Sequence, residues 1–314
     1  MADLYPLLLI PEFHERVWGT RDLRPIYTRV VSHEPVGEAW VAGDDCKVAN
    51  GLLAGSTLKQ LCQRFGAQLV GANVRETSRF PLLIKFLFPR ERLSVQVHPD
   101  DEGARALGEP CGKSECWYVV RAVAGASIGL GLKPETTREA FAQAIRQGTA
   151  EELLNWLPVH TGEMYYVAAG TVHAIGPDSI LIETQQNSDT TFRLYDYNRG
   201  RPLHVEQGLK ALRETTAAGL AEPVDFDDRT RLIAVPSFVV ERFRPTEPIV
   251  LKRAEVGGAA QVLVASEGCG VVQWEGVEPV VLQCGEAVVI PASLDRVQVK
   301  PQWELEMLRM RVPA

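Results

Sequence analysis

The sequence predicts a mainly β fold, organised as two β-barrels with a few inserted α-helices. Short apolar runs bounded by Gly and Pro dominate the chain, and runs of this kind are typical of strands. Start and stop signals of helices occur at only a few places. In addition, a short pattern that begins with Gly-Glu occurs twice, which indicates two related β units.

Length and composition limit the class of protein. At about 150 residues per domain, 314 residues correspond to about two units. The chain is 46% apolar and 23% charged, as globular proteins are, so we exclude a disordered chain. With 40 acidic and 33 basic residues the formal charge is −7. This balance argues against a nucleic-acid partner, because neutralising phosphates requires clustered Lys and Arg.

The sequence also argues against a membrane or secreted protein. No apolar run approaches the ~18 residues of a membrane span, and the best candidate, residues 80–89, carries Lys85 in its middle. The first residues lack the basic region of a signal peptide. None of the six cysteines forms a CxxC pair. We therefore expect a cytoplasmic protein without disulfides.

Four helices are predicted, at residues 57–65, 136–147, 149–157 and 205–214. Each of the first three begins with Thr and has Gln or Glu three residues later, which is the pattern of a capping box. These three end at Gly66, Gly148 and Pro158, which are typical stop residues. The second and third predicted helices form one insert at about 134–157.

The repeated pattern predicts how the two units differ. Residues 162–170 and 285–293 both read as Gly-Glu, a β run and a turn of small residues. This order resembles the second motif of a cupin barrel, in which the turn leads into a strand that ends at the metal. His173 follows the first Gly by eleven residues, and the same offset in the second copy gives Arg296.

We therefore predict a metal-binding cupin domain over residues 1–225. The remaining residues, 226–314, are predicted to form a cupin-like domain that lacks metal ligands. The acidic stretch 221–231 is the predicted linker between them.

A candidate metal site begins in the run Ser-Val-Gln-Val-His-Pro at residues 94–99. In a strand, alternation places Ser94, Gln96 and His98 on one face and the two valines on the other. Polar groups inside a barrel need partners, and a metal ion accepts both a His nitrogen and an amide oxygen. Pro99 ends the strand and fixes His98 at its rim.

Two further side chains complete the candidate set. Glu115 begins the next predicted strand, and His173 follows a tight turn. Each residue alone is equally typical of an ordinary core or surface position. Together with Gln96 and His98 they favour a metal site at the mouth of the first barrel.

Four stretches resemble the type I phosphomannose isomerases, in particular their short bacterial form. They are LSVQVHPDD at 93–101, GKSECWY at 112–118, GTVHAIG at 170–176 and ETQQNSDTTFRLYDYNR at 183–199. The resemblance covers residues 5–215 and implies a zinc-dependent isomerase with one Zn²⁺ per chain. The reaction it implies interconverts mannose 6-phosphate and fructose 6-phosphate through a cis-enediol. The family's Gln, His, Glu and His ligands fall on Gln96, His98, Glu115 and His173.

The resemblance also implies roles for other residues. Arg193 matches the catalytic arginine, and Lys113 takes an active-site role for which we expect proton transfer. Phosphate-contacting groups fall on Ser94, Lys85 and Arg199. As alternatives, Arg193 could be a salt-bridge partner of a nearby aspartate, and Lys113 a solvated loop lysine. The sequence departs from longer family members at residue 112, where Gly replaces a His.

Two other functions fit parts of the pattern. A cupin oxygenase that uses Fe(II) would keep the fold, but its usual ligands are rich in His or combine two His with one carboxylate. A non-catalytic sugar-phosphate-binding protein would not need both Lys113 and Arg193. In either case the expected partner is a small molecule, and we expect a monomer or a weak homodimer.

Overall fold

The structure is a computed structural model that describes residues 4–30 and 32–313. The predicted mainly β class is confirmed. The strands are, in chain order, β1 (Leu7–Leu9), β2 (Glu12–Thr20), β3 (Val36–Ala42), β4 (Leu82–Leu87), β5 (Val95–Val97), β6 (Glu115–Ala122), β7 (Ser127–Leu132), β8 (Leu154–Pro158), β9 (Met164–Val167), β10 (His173–Ile175), β11 (Ser179–Gln186), β12 (Phe192–Tyr195), β13 (Gly219–Leu220), β14 (Val224–Asp225), β15 (Thr230–Ala234), β16 (Val239–Phe243), β17 (Ile249–Lys252), β18 (Gln261–Gln273), β19 (Val280–Gln283), β20 (Ala287–Ile290) and β21 (Arg296–Arg311).

In the described part of the chain, five α-helices and three 3-10 turns connect these strands. The helices are α1 (Leu58–Phe65), α2 (Ala67–Val70), α3 (Asp101–Ala106), α4 (Arg138–Gln147) and α5 (Val205–Ala211). The 3-10 turns are Gly51–Leu53, Ala150–Leu153 and Arg253–Val256. Within the described ranges, each helix is too short, or too polar, to cross a bilayer.

The first barrel consists of two antiparallel sheets that face each other. A seven-stranded sheet has the order β13-β9-β6-β11-β4-β3-β2, and a five-stranded sheet has the order β12-β5-β10-β7-β8. Apolar side chains of both sheets, such as Trp117, Leu181 and Ile128, fill one end of the space between them. The candidate metal ligands lie at the other end, where β5, β6 and β10 meet.

The second barrel is one nine-stranded sheet with the order β1-β20-β18-β21-β16-β15-β14, to which β17 and β19 add at β21 and β18. Irregular register between β18 and β21 bends these two long strands. An apolar cluster that includes Phe243, Leu263 and Val288 fills the interior. A larger core joins this sheet to the outer face of the seven-stranded sheet, for example through Phe86 and Leu308.

The repeated pattern occupies equivalent places in the two barrels. Gly162 and Gly285 adopt left-handed φ values of 90° and 86°, which glycine tolerates best. They lead into β9 and β20 respectively. His173 begins β10 and Arg296 begins β21, so the offset found in the sequence is kept in three dimensions. Arg296 is exposed, and the interior beneath it is apolar.

Two observations bear on the predicted division at residues 225 and 226. Strand β1, at the start of the chain, pairs with β20 and so belongs to the second sheet. Strands β14 and β15 form a hairpin that spans the predicted boundary. The division into 1–225 and 226–314 stays a prediction.

The helix predictions were right at one position, approximate at two and wrong at one. The capping box of α1 is present, with reciprocal bonds between Thr57 and Gln60. Helix α4 begins later than predicted, because Thr137 and not Thr136 is its N-cap. Helix α5 ends at Ala211, before the predicted residue 214.

The predicted helix at 149–157 is wrong. Residues Ala150–Leu153 form a 3-10 turn, and the rest is strand β8, which pairs with β7 at the edge of the five-stranded sheet. Leu154 is buried and packs in the core cluster beneath this sheet. Sheet pairing and this burial outweigh the capping signal, so the insert at 134–157 is helical only over α4.

Candidate metal centre

Strand β5 places the first candidate ligands at the centre of the five-stranded sheet. Gln96 lies opposite His173 of β10 on one side and opposite Arg193 of β12 on the other. His98 follows directly after β5, and its ring centroid lies 4.8 Å from that of His173. The alternation predicted for this strand is therefore present, with Val95 and Val97 buried on the opposite face.

The two histidines and one glutamate converge in a buried cluster. One ligand atom each of His98, Glu115 and His173 lies within 4.8 Å of the others. His98 Nε2 is 3.5 Å from Glu115 Oε2, and His173 Nε2 is 3.4 Å from Glu115 Oε1. Three residues that are distant in the sequence thus direct two imidazole nitrogens and one carboxylate towards the same point.

Hydrogen bonds fix the tautomer of both imidazoles. His98 Nδ1 lies 3.0 Å from the carbonyl oxygen of Thr190, and His173 Nδ1 lies 2.9 Å from that of Thr171. A carbonyl oxygen can only accept, so each Nδ1 carries the proton. Both Nε2 lone pairs therefore face the cluster, which is the arrangement that backbone partners impose on metal-binding histidines.

The carboxylate of Glu115 lacks the partners that its burial requires. Its exposure is 0%, and among the described residues neither oxygen accepts a well-aligned hydrogen bond. Lys113 provides an ion pair, with Nζ 3.1 Å from Oε2. A buried carboxylate between two imidazole lone pairs is costly unless a cation binds there. These residues consequently fit a divalent metal ion.

The protonation states agree with this interpretation. Burial lowers the pKa of His173 to about 4. Burial, with a further contribution from Lys113, holds the pKa of His98 well below its usual value. Both rings are neutral near pH 7, as metal ligands must be. Burial, and then the charge of Glu183, raise the pKa of Glu115 to about 7, against the opposing effect of Lys113.

Gln96 is adjacent to this cluster. Its Nε2 lies 3.2 Å from His173 Nε2, and its Oε1 lies 3.4 Å from Ser94 Oγ. Rotation of the amide by half a turn exchanges the two atoms and directs the oxygen to the cluster. Gln96 is thus within reach as a fourth, oxygen ligand.

Of the two predicted catalytic residues, Lys113 lies at the cluster and Arg193 lines the cavity beside it. Lys113 is buried, and its Nζ lies 3.2 Å from His98 Nε2. Lys113 is therefore not the solvated loop lysine of the alternative interpretation. Arg193 Nη1 donates to the carbonyl of Pro202 at 3.0 Å, while its buried Nε has no partner among the described residues.

A polar cavity of about 410 Å³ opens above the cluster. Of the residues predicted from the sequence, Lys85, Ser94, Gln96, Lys113 and Arg193 line it. Others were not predicted as site residues: Arg16, Trp18, Glu38, Leu87, Leu93, Glu183, Asp189, Thr191 and Arg201. The histidines and Glu115 lie below its wall.

Lys85 was predicted to contact phosphate, but its surroundings are acidic. Its Nζ lies 3.4 Å from Glu183 Oε1, 3.8 Å from Glu38 Oε2 and 3.9 Å from Asp189 Oδ1. Burial alone would lower the pKa of Lys85, and the three carboxylates raise it above the usual value instead. A phosphate dianion would be repelled by this group of acids, so the geometry favours a role for Lys85 in neutralising them.

Arg199, the third predicted phosphate contact, is not brought to the cavity. Its guanidinium donates to the carbonyl of Arg92 and to Glu91, each at 2.8 Å. It also lies over the ring of Tyr197. Arg201, two residues later, lines the cavity in its place.

The sequence contains a partial signal for the acidic residues that were missed. Glu183 lies in the middle of β11, a central strand whose other residues are mostly buried, and it accepts from Trp117 Nε1 at 3.0 Å. A buried charge in a central strand indicates a site. Glu38 accepts from Trp40, two residues further along β3, and from Arg16 of β2, and no local pattern predicts the contact with Arg16.

Gly112 explains the departure from longer family members. A Cβ at this position would lie 2.6 Å from the backbone nitrogen of Asp101, and still closer to the carbonyl carbon of Asp100. Lys113 is fixed just beyond by a bond from its N–H to the carbonyl of Pro99, at 3.0 Å. The loop is thus packed so closely that no side chain, least of all an imidazole, fits at residue 112.

Comparisons with known proteins agree with the predicted family. Residues 7–115 match the family described as phosphomannose isomerase type I, catalytic domain. A mannose-6-phosphate isomerase of Streptococcus mutans is 33% identical over 303 residues, which are 92% of this chain and 93% of the relative.

Solved structures agree at the level of the fold. The crystal structure of a mannose 6-phosphate isomerase from Bacillus subtilis superposes with a TM-score of 0.87 at 28% identity, over 98% of this chain and 99% of that one. A zinc-bound mannose 6-phosphate isomerase superposes with a TM-score of 0.81, over 98% and 100% of the two chains. At 16% identity this second similarity concerns the fold alone.

Proposed function

The chain belongs to the type I phosphomannose isomerase family, and on that premise we propose that it is a zinc-dependent aldose-ketose isomerase. Its substrates are mannose 6-phosphate and fructose 6-phosphate, interconverted through a cis-enediol. The observation that carries this proposal is the buried cluster of His98, Glu115 and His173, whose carboxylate has no aligned hydrogen-bond donor in the described part of the chain.

Zinc suits this donor set. Two imidazole nitrogens, a carboxylate and the oxygen of Gln96 are ligands that zinc accepts, and a mixed set of this kind is typical of catalytic sites that keep a position open. Gln96 lines the cavity, so the residues that would hold zinc adjoin the space in which a substrate would bind. Bound zinc supplies a Lewis acid that polarises the carbonyl of the open-chain sugar.

Lys113 is the proposed base that moves the proton between C1 and C2. Its ammonium group lies at the floor of the cavity and within 3.2 Å of two metal-ligand atoms. In its amine form Lys113 can accept a proton from carbon, and in its ammonium form it can return that proton to the neighbouring carbon. Burial excludes the water that would otherwise compete for that proton.

Arg193 is the proposed electrostatic catalyst. Its backbone lies opposite Gln96, and its side chain lines the same cavity. A guanidinium there places fixed positive charge where the enediolate oxygen develops, an effect commonly worth roughly 3 kcal/mol. Burial and the neighbouring Arg201 lower the pKa of Arg193, yet an arginine remains charged. The Nε of Arg193 has no hydrogen-bond acceptor among residues 4–30 and 32–313, which leaves a donor for this oxygen.

Ser94 is the proposed hydroxyl contact to the substrate phosphate. It precedes Gln96 by two residues on the same strand face, and its hydroxyl lies 3.4 Å from the Gln96 side chain. Ser94 also lines the cavity, so a substrate bound there can reach both the metal cluster and this hydroxyl. Binding the remote phosphate helps to orient the reacting carbons.

Two other functions remain as outcomes of the test. An Fe(II) oxygenase would require dioxygen and iron, and a non-catalytic sugar-phosphate-binding protein would bind substrate without turnover. Lys113 lies at the cluster and Arg193 lines the same cavity, which favours the isomerase. We further propose a cytoplasmic enzyme that acts as a monomer or weak homodimer.

A coupled assay distinguishes the three functions. Fructose 6-phosphate formation from mannose 6-phosphate would be measured with and without a chelator, and with and without oxygen. We expect turnover that is lost on chelation, restored by zinc and unaffected by oxygen. Turnover that needs iron and oxygen would support the oxygenase. Binding of mannose 6-phosphate without turnover by the zinc-loaded protein would support the binding protein.

A further inference from the structure

The segment that follows β12 contains a buried carboxylate, Asp196, that lies close to two arginines. Asp196 is 4% exposed. Arg201 donates to it through Nε at 2.7 Å and Nη2 at 2.5 Å, a bidentate pair. Arg199 approaches the same carboxylate at 3.6 Å but directs its donors outward, to Glu91 and Arg92. Only Arg201 of the two arginines lines the cavity.

The backbone between these residues is held in an unusual conformation. Tyr197 and Asn198 have φ values of 52° and 59°. These values lie in the left-handed region of the backbone, which residues other than glycine rarely adopt. Two consecutive residues of this kind persist only where the surroundings fix them. Here the turn reverses the chain so that Arg201 returns to the cavity, and His204 N–H then bonds to the carbonyl of Arg193 at 2.7 Å.

The strand register relates Asp196, the partner of Arg201, to Ser94 on the neighbouring strand. Arg193 lies opposite Gln96, and Tyr195 lies opposite Val95. The next residues along the two antiparallel strands are Asp196 and Ser94. The register therefore places the bidentate pair at the part of the cavity that Ser94 lines.

Arg201 retains a donor for a ligand. Its Nε and Nη2 bind Asp196, and no acceptor in the described part of the chain takes a hydrogen bond from its Nη1. Two other cations of the cavity wall are more fully engaged by acids. Lys85 faces three carboxylates, and Arg16 forms its own bidentate pair with Glu38.

We propose that Arg201, oriented by Asp196, is the residue that recognises the substrate's phosphate and so determines specificity for a phosphorylated sugar. This inference rests on the proposed function and replaces Arg199 in the predicted phosphate contacts. Asp196 is a positioning residue, because its carboxylate binds the far side of the guanidinium and directs Nη1 to the cavity. A dianionic phosphate monoester at that point would accept from Nη1 and from Ser94.

The test compares four variants by steady-state kinetics with mannose 6-phosphate and by inhibition with inorganic phosphate. For Arg201→Gln, loss of a charge-assisted hydrogen bond should raise KM and the phosphate inhibition constant by roughly 10- to 100-fold, with kcat within about threefold. Asp196→Asn should raise KM severalfold with little change in kcat. Arg199→Gln and the exposed Arg146→Gln should change neither constant by more than about twofold.

Other results would overturn the inference. An unchanged KM in Arg201→Gln, or an equal rise in Arg199→Gln, would assign the phosphate to another group. If Arg201→Gln does not fold, Arg201→Lys keeps the charge but cannot keep the bidentate pair, and the inference requires a severalfold rise in KM there. Wild-type protein without isomerase activity would contradict the proposed function itself, which distinguishes that failure from this one.

Discussion

Lys113 is the single residue on which the proposed proton transfer depends. We expect Lys113→Met to lower kcat by about 100-fold or more, because general base catalysis contributes roughly 10²–10⁴. Zinc content should not fall, since Lys113 is a cation beside the ligands and not one of them. Lys210→Met, an exposed lysine on α5, is the matched control. Wild-type turnover in Lys113→Met would rule lysine out as the base.

Glu38 provides a second prediction at this scale. Burial would raise the pKa of its carboxyl group, but Lys85, Arg16 and Trp40 outweigh burial and lower it from 4.5 to about 2. A depressed pKa in the folded state contributes stability above the unfolded value, and that stability is lost as the pH falls from 4.5 towards 2. From this shift, Glu38→Gln should destabilise the protein by roughly 2–3 kcal/mol at pH 7.

Denaturant unfolding at several pH values measures this effect. The difference between wild type and Glu38→Gln should be largest near pH 7 and should shrink between pH 4.5 and pH 2. A difference that stays constant across this range would mean that the carboxylate's charge does not stabilise the fold.

The sequence predicted individual site residues correctly where they follow the alternation of side chains along one strand. Gln96 and His98 share a strand face, so their pattern was visible without the fold. Arg201 was missed because its place depends on a turn through two left-handed residues, which the sequence does not encode in an obvious way. Lys85 was found, but its three acidic neighbours come from other strands, and only the fold shows that they surround it.

At the scale of elements, the loop between α3 and β6 determines where Lys113 and Glu115 lie. Gly112→Ala should destabilise the protein by roughly 1–3 kcal/mol, because the new methyl group meets the backbone of Asp100 and Asp101. Activity should fall together with stability, since the same backbone holds Lys113. Gly219→Ala is the matched control, because a Cβ there meets nothing within 4 Å. Equal stability of the two variants would show that the loop can move aside.

The elements also show where sequence signals compete. The capping box at Thr57 leads to a helix because α1 packs Leu58 and Leu61 into the core. A similar signal at Thr149 fails because the following residues complete the edge of a sheet as β8. Local capping energies are of the order of 1 kcal/mol, which the pairing of a strand easily exceeds. Whether a capping signal leads to a helix can therefore be decided only when the neighbouring strand is known.

At the scale of the whole molecule, a buried hydrogen bond joins the two barrels. Tyr118 of β6 donates to Glu306 Oε1 of β21 at 2.7 Å, and Ser266 donates to the same oxygen. Tyr118→Phe should lower the free energy of unfolding by roughly 1.5–3 kcal/mol, the contribution of a hydrogen bond to a charged group. The unfolding transition should stay single, because a common core joins the sheets.

Urea denaturation followed by fluorescence and circular dichroism tests this coupling. Tyr166→Phe is the control, because the hydroxyl of Tyr166 has no hydrogen-bond partner in the described ranges. Two separate transitions in the wild type would contradict a shared core. They would instead support the predicted division at residues 225 and 226 as one between independently folding units.

The architecture at this scale was predictable from the repeated Gly-Glu pattern and from the family motifs. The pairing of β1 with β20 was not, because a strand of three residues near the start of the chain carries no signal of a partner far along it. Long-range pairing is decided by packing of the completed sheets, which local patterns do not report.

The most direct test concerns the cation on which two imidazoles, a carboxylate and an amide converge. Metal-free protein would be titrated with zinc while bound metal and isomerase turnover are measured together, with Glu115→Gln titrated in parallel. We predict that activity returns in proportion to zinc and is complete at one ion per chain, whereas Glu115→Gln binds zinc weakly and stays inactive. Full turnover by the metal-free wild-type protein would contradict the account.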